Sequence, residues 1–195
     1  MKTLLKESNY YSKHIFMQHN NHLEQKIAII NSVTPNLDDF LQNGFDNDYA
    51  QAFISEYILE YKKQCNETEV ELFELFKLNV RYKRFSIIGN LMLTEIVEYE
   101  DFYKIGNLER DFLILIKSTE EIAIIDHENF EIRYYISENF EVFLDLIPVL
   151  ISYDKLGYLG VKYTMDIKIK TLEKIKKIVK SEKYYFFFSY SLMGE

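Results

Sequence analysis

The sequence predicts an α+β fold: N-terminal helices packed on a mostly antiparallel sheet, followed by a C-terminal helix and strand. Three observations carry this. Before about residue 84, apolar residues recur at helical spacing behind recognisable caps. Between residues 85 and 136 they gather instead into short β-rich runs separated by polar turns. Those turns are too short for the crossovers that parallel neighbours require.

The first helix is expected around the apolar residues 27–30 and ends at the Thr34-Pro35-Asn36 break. Asn36 can cap a short helix carrying Leu37, Phe40 and Leu41. Gly44 then fits a helix C-terminus, where left-handed backbone costs glycine little. Asp46 starts a longer helix, with Ala50, Phe53, Ile54, Tyr57, Ile58 and Tyr61 on one face. Thr68-Glu69-Val70-Glu71 has the form of a capping box leading into Leu72, Phe73, Leu75 and Phe76. Asn66-Glu67-Thr68 also matches a glycosylation acceptor, but a cap is the better account in a cytosolic chain.

Strands are expected at Phe85–Ile88, 91–99, 112–116, Ile122–Ile125 and 132–136, with turns around Lys117-Ser118-Thr119-Glu120 and His127-Glu128-Asn129. Asn139 should cap a helix whose face is Phe140, Phe143, Leu144 and Ile147, and Pro148 should kink or end it. Val161, Tyr163, Met165, Ile167 and Ile169 alternate as a strand does. Leu172, Ile175, Ile178 and Val179 return to helical spacing, and residues 184–188 read as a last buried strand. Such an aromatic strand at a sheet edge could pair with another copy, making a homodimer possible.

With 48% hydrophobic residues the chain is not of the disordered class, and only two Pro and six Gly exclude collagen-like or low-complexity architecture. Its 195 residues suit one domain over 1–195, with a core at about 24–153 and a C-terminal extension at 154–195. No apolar run approaches the roughly 20 residues of a membrane span. The opening MKTLLKESNYYSKH turns polar too soon for a secretory leader, and the single Cys65 cannot form an internal disulfide. A cytoplasmic address is expected.

The formal charge of −8 is unevenly spread. Residues 95–145 hold 14 Asp/Glu against 4 Lys/Arg, whereas residues 155–183 hold 9 Lys against 3 Asp/Glu. The acidic middle repels nucleic acid and steers basic partners toward it. The aromatics of the sheet region lie among acidic residues, the wrong sign for a phosphate backbone, so core packing and a Tyr-rich protein interface account better for the chain's 16 Tyr and 15 Phe.

Chemistry is sparse. His14, His19 and His22 with Glu24 could place two imidazoles on one helix face, but no cysteine pair or second histidine cluster completes a metal site. Asp126-His127-Glu128 reads as a polar turn, since adjacent strand residues point to opposite faces. Cys65 lies in no nucleophile signature, and no glycine-rich phosphate loop, nucleophile elbow or zinc-protease motif occurs. No catalytic residue, cofactor or metal is therefore expected, and the chain does not read as an enzyme.

Pro35-Asn36-Leu37-Asp38-Asp39-Phe40-Leu41-Gln42-Asn43-Gly44 is the first of two segments with a family resemblance: it resembles the early helix of the SUKH superfamily, which ends in an "FL…NG" signature. Tyr103-Lys104-Ile105-Gly106 resembles its Ile-Gly strand end, the runs 113–116 and 122–126 its following hairpin, and Ser137-Glu138-Asn139-Phe140-Glu141-Val142-Phe143-Leu144 its closing "SFEEFL" helix. The Ile-Gly strand end is also similar to that of the GAD-like immunity family. Phe45-Asp46 stands where SUKH members usually carry Trp and a second Gly, the stretch between the motifs is long, and residues after 155 have no counterpart in the minimal domain.

The resemblance implies a bacterial immunity protein that neutralises a cognate toxin, often a nuclease or other nucleic-acid-directed enzyme, by stoichiometric binding. The alternative it implies is a non-catalytic intracellular regulatory scaffold. The expected partner is a protein toxin with a basic surface, with neither nucleic acid nor membrane involved. Under this reading the acidic stretch 101–131 meets the partner, through Asp101, Glu109, Asp111, Glu120, Glu121 and Glu128.

Overall fold

The computed structural model describes residues 21–63 and 71–194. The chain begins with α1, helical over residues 21–33, which buries Leu23, Ile27 and Ile30. Asn36 caps α2 (Leu37–Leu41) as expected: its Oδ1 accepts from the Asp39 amide at 2.9 Å, and the Asp39 carboxylate accepts from the Asn36 amide at 3.0 Å. Gly44 adopts φ +80° beyond it, and Asp46 caps α3 (Asn47–Ile54).

The long helix expected from Asp46 to Tyr61 is shorter. After α3 comes a 3-10 turn (Ser55–Tyr57), then β1 (Glu60–Tyr61), paired antiparallel with β2 (Val80–Arg81). The cause is a side-chain clamp. Asn31 donates to the Leu59 carbonyl at 2.8 Å and accepts from the Leu59 amide at 3.1 Å, so Leu59 is held extended. α4 (Leu72–Asn79) precedes β2, and its cap position is Glu71, without a side-chain bond. Thr68, the Asn66 acceptor pattern and Cys65 lie outside the described residues.

Six strands then form one antiparallel meander: β3 (Phe85–Ile88), β4 (Leu91–Glu98), β5 (Phe102–Leu108), β6 (Asp111–Ile116), β7 (Ile122–Ile125) and β8 (Ile132–Ser137), each beside its sequence neighbour. Asn139 caps α5 (Phe140–Tyr158), accepting from the Val142 amide at 2.9 Å. Pro148 does not end this helix. A proline there removes one helical hydrogen bond and costs about 3 kcal/mol. Phe143, Leu144, Leu146, Ile147, Leu150 and Ile151 are buried on both sides of it, and their packing outweighs that local cost.

The tail departs most from expectation. Residues 161–169 are not a strand: Thr164 caps α6 (Met165–Val179), and of the alternating set Met165 and Ile169 face solvent. The face that counts is Thr171, Leu172, Ile175 and Val179, at helical spacing. Residues 184–188 are likewise not a strand but part of α7 (Glu182–Met193), capped by Ser181, with Tyr184, Phe187, Phe188 and Leu192 buried. The fold class is α+β, but its C-terminal part is a helical hairpin. One core joins α1, α4, the inner face of the sheet, α5 and this hairpin, so residues after 154 contribute Leu172, Ile175, Val179, Phe187 and Phe188 to it. Among the described residues no helix is long and apolar enough to cross a membrane.

Candidate interaction face

Strand register divides the sheet into two faces. Leu113, Leu115, Ile122 and Ile124 enter the main core under α5 and α7. Their sequence neighbours point the other way, in rows that cross the strands: Val97, Lys104, Ile114, Ala123 and Tyr135 in one, Asn107, Phe112, Ile125 and Ile132 in the next. An antiparallel sheet with one solvated face ordinarily carries polar residues there. Here a second apolar cluster is buried: Ile114, Ala123 and Ile125, none more than 3% exposed, lie beneath the partly buried Phe102, Phe112, Ile116 and Tyr135.

The rings on this face are ordered against one another. Tyr99 stacks on Phe102 with centroids 4.6 Å apart, and the Lys104 ammonium lies 4.5 Å from the Phe112 centroid. Phe130, at the tip of the β7–β8 turn, sits 6.3 Å from Phe102 and 6.1 Å from Phe112 and is half exposed. Its backbone has φ +59°, a region a bulky side chain rarely adopts. Two turn bonds hold it there, Phe130 N–H to the Asp126 carbonyl and Asp126 N–H to the Glu131 carbonyl. The Asp126 carboxylate accepts from the amides of Glu128 and Asn129 within the same turn.

The six acidic residues singled out in the sequence do not share one patch. Successive hairpin turns of a meander lie at opposite ends of the strands, roughly 20 Å apart for six residues. Asp101 and Glu120 occupy one end, where the Lys117 amide bonds the Asp101 carbonyl at 3.0 Å. Glu109, Asp111 and Glu128 occupy the other. Together the two groups bracket the aromatic face.

Their availability differs. Asp101, Glu109, Glu120 and Glu128 are exposed, and Glu109 and Glu120 hold their turns in left-handed backbone. Glu121 turns inward, bonded by Lys183 and by the Tyr184 hydroxyl at 2.7 Å, which ties the start of α7 to the sheet. The bonds from Lys183 and Tyr184 outweigh partial burial and hold its carboxyl below the usual value. Asp111 is also engaged, 3.1 Å from the Arg133 guanidinium and 3.2 Å from His127 Nδ1.

Asp111, Asp126 and His127 are the one group among the described residues whose donor atoms converge closely enough for a metal ion. The Arg133 guanidinium already bonds both carboxylates, so a cation's place is taken by a fixed positive charge. His14 and His19 lie outside the described residues, and His22 pairs with Glu141 at 2.8 Å.

Arg133, with the turn amides, holds the Asp126 carboxyl at about 2. A depressed carboxylate contributes stability in full above the ordinary value near 3.9, and that contribution is lost as pH falls through about 2. Wild type should therefore melt above Arg133→Gln at neutral pH, with the gap closing between about pH 4 and 2. A gap that stayed constant to pH 2 would place the stabilisation elsewhere.

Sequence reading found the acidic turns but not the aromatic face between them. Its signal was present: runs such as Phe112-Leu113-Ile114-Leu115-Ile116 are apolar at every position, which marks a strand with two apolar faces. Asp154, which binds the hydroxyls of Tyr57 and Tyr158 and the Gly89 amide, was also missed; its partners lie 65 to 97 residues away for Gly89 and Tyr57. Neither a family model, a curated protein nor a solved structure matches the chain.

Proposed function

We propose that the protein works in the cytoplasm by stoichiometric binding of a basic protein, and that this partner is a toxin it neutralises, in the manner of SUKH-type immunity proteins. The observation that carries the reading is the partly exposed ring row of the outer sheet face, Phe102, Phe112 and the half-exposed Phe130 above the buried Ile114, Ala123 and Ile125, with exposed carboxylates at both ends of the strands. An apolar centre with a charged margin is the anatomy of a protein interface. Rings supply most of the affinity, while charges at the margin supply orientation and association rate. The excess of carboxylates selects a basic partner, and a nucleic-acid-directed toxin fits because its substrate-binding surface is itself basic.

The test begins with the protein captured at one-to-one ratio by the immobilised chain, followed by kinetics with variants of the face and a cell-protection assay. Asp101→Lys with Glu120→Lys should slow association about tenfold at low salt, an effect that fades as salt screens the field. Phe130→Ala should act on dissociation instead, at about 2 kcal/mol or some thirtyfold in affinity. Glu121 is a poor probe, because its loss loosens α7. Indifference of binding to all three substitutions would remove the face from the mechanism. A tightly bound partner with no toxicity would favour a regulatory scaffold.

A further inference from the structure

The C-terminal helical hairpin does not close completely over the end of the sheet. Between the β3–β4 turn, the end of β5, the second half of α5, the start of α6 and the end of α7 lies a cavity of about 460 Å³. That size falls within the range of small-molecule sites, about 300–1,000 Å³. Leu91, Leu150, Phe187, Phe188 and Leu192 line it, none more than 6% exposed. Tyr163, from the α5–α6 connection, stacks on Tyr153 with centroids 4.6 Å apart, and its hydroxyl donates to the Asp154 carbonyl at 3.1 Å.

Two donors in this lining have no partner. Tyr153 is 8% exposed, yet its hydroxyl makes no hydrogen bond among the described residues. No sealed side-chain oxygen among them is left unbonded, so this hydroxyl is reached from the open space of the cavity that Tyr153 lines. Lys168, in the first turn of α6, is partly buried in the same lining and has no carboxylate within ion-pair distance among the described residues. Its neighbours on that helix do: Lys170 pairs with Asp166, and Lys176 with Glu182. A phenol without an acceptor and an ammonium without a counter-ion are satisfied by one and the same group, a carboxylate.

The lining holds two carboxylates of its own, and neither serves. Both oxygens of Asp154 are engaged, by the hydroxyls of Tyr57 and Tyr158 and by the Gly89 amide. Glu109 is exposed at the rim, where water and salt screen it, with Oε1 3.5 Å from the Asn90 side-chain nitrogen.

We propose that this cavity binds a small monocarboxylic acid with an apolar aryl or alkyl body. The body lies among Leu91, Leu150, Phe187 and Phe188, and the carboxylate takes the Lys168 ammonium and the Tyr153 hydroxyl. An amine of the same shape is repelled by Lys168. A bound acid joins α5, α6 and α7 and so stabilises the folded hairpin. The site shares only Glu109 with the carboxylates around the outer sheet face, so it stands whether or not that face binds a toxin.

Phenylbutyrate and octanoate are the probes and phenylbutylamine the control, each titrated into the isotope-labelled full chain and followed by amide NMR shifts. Both acids should bind with Kd of about 1 mM, as suits ligands of roughly a dozen heavy atoms. The shifts should centre on Gly89, Lys168 and Leu192, not on Phe112 and Phe130 of the outer face. Lys168→Met should weaken both acids at least tenfold. Tyr153→Phe should weaken them about fivefold and leave the melting temperature of the unliganded chain unchanged, because the hydroxyl has no bond to lose. Acids that do not bind at about 10 mM would overturn the proposal. So would an amine that binds as tightly as the acids, shifts confined to the outer face, or unchanged affinity in Lys168→Met.

Discussion

Replacing Gly106 by alanine should cost about 3 kcal/mol or more, the largest loss expected from any single added methyl group in this chain. A Cβ at Gly106 would lie 2.1 Å from the Met92 carbonyl oxygen and 3.0 Å from its carbon, both backbone atoms of the adjoining strand. Nothing there can rotate away. Gly106 pairs with Leu93 in the β4–β5 ladder and lies at an irregularity in both of its ladders, so relief requires strands to part. The contrast is Gly89→Ala, which meets nothing within 4 Å but has φ +51° and should cost about 1 kcal/mol. Urea midpoints at constant slope would measure the pair. Equal losses would mean that β4 can retreat and that the close approach does not constrain the sheet.

That glycine shows how far the sequence could be read. The Ile105-Gly106 pair was recognised as a resemblance, yet only the structure supplies its reason, a carbonyl on a strand 14 residues earlier in the chain. Local signals were dependable where the cause was local. Asn36, Asp46 and Asn139 cap their helices as their sequence positions imply, because a cap is decided within three or four residues. Signals failed where a distant contact decided. Asn31 holds Leu59 extended across 28 residues and shortens the helix begun at Asp46. The alternation at 161–169 lost to a helical face reaching from Thr171 to Val179, and the unpatterned run 184–188 was too short to separate strand from helix.

The acidic turns were legible for the same reason: charge is a property of sequence that turns preserve. Their grouping was not. A meander sends alternate turns to opposite ends, so six carboxylates within 28 residues divide into two sets with an aromatic surface between them. Which carboxylates remain free also depended on distant residues, Lys183 and Tyr184 for Glu121 and Arg133 for Asp111.

Asp154→Ala should destabilise the fold by about 3 kcal/mol, of which one buried hydroxyl should account for about 1–2. The Asp154 carboxylate joins three parts of the chain. Its Oδ2 is 3.1 Å from the hydroxyl of Tyr57, in the turn after α3, and 3.2 Å from that of Tyr158. Its Oδ1 accepts from the Gly89 amide at 3.1 Å, in the β3–β4 turn. Burial, with the neighbouring carboxylate, pushes the Tyr158 phenol up to about 12 and Tyr57 higher still, so both remain protonated donors well beyond neutral pH. Tyr57 is 1% exposed, and without Asp154 its hydroxyl keeps only Tyr158, at 3.2 Å. The decisive measurement is therefore a double-mutant cycle. Tyr57→Phe should cost about 1–2 kcal/mol in wild type but close to nothing, or even a gain, in Asp154→Ala, where it removes an under-satisfied hydroxyl. The same cost in both backgrounds would show that Tyr57 and Asp154 act independently, and that burial of the ring alone, not the carboxylate, anchors this turn to α5.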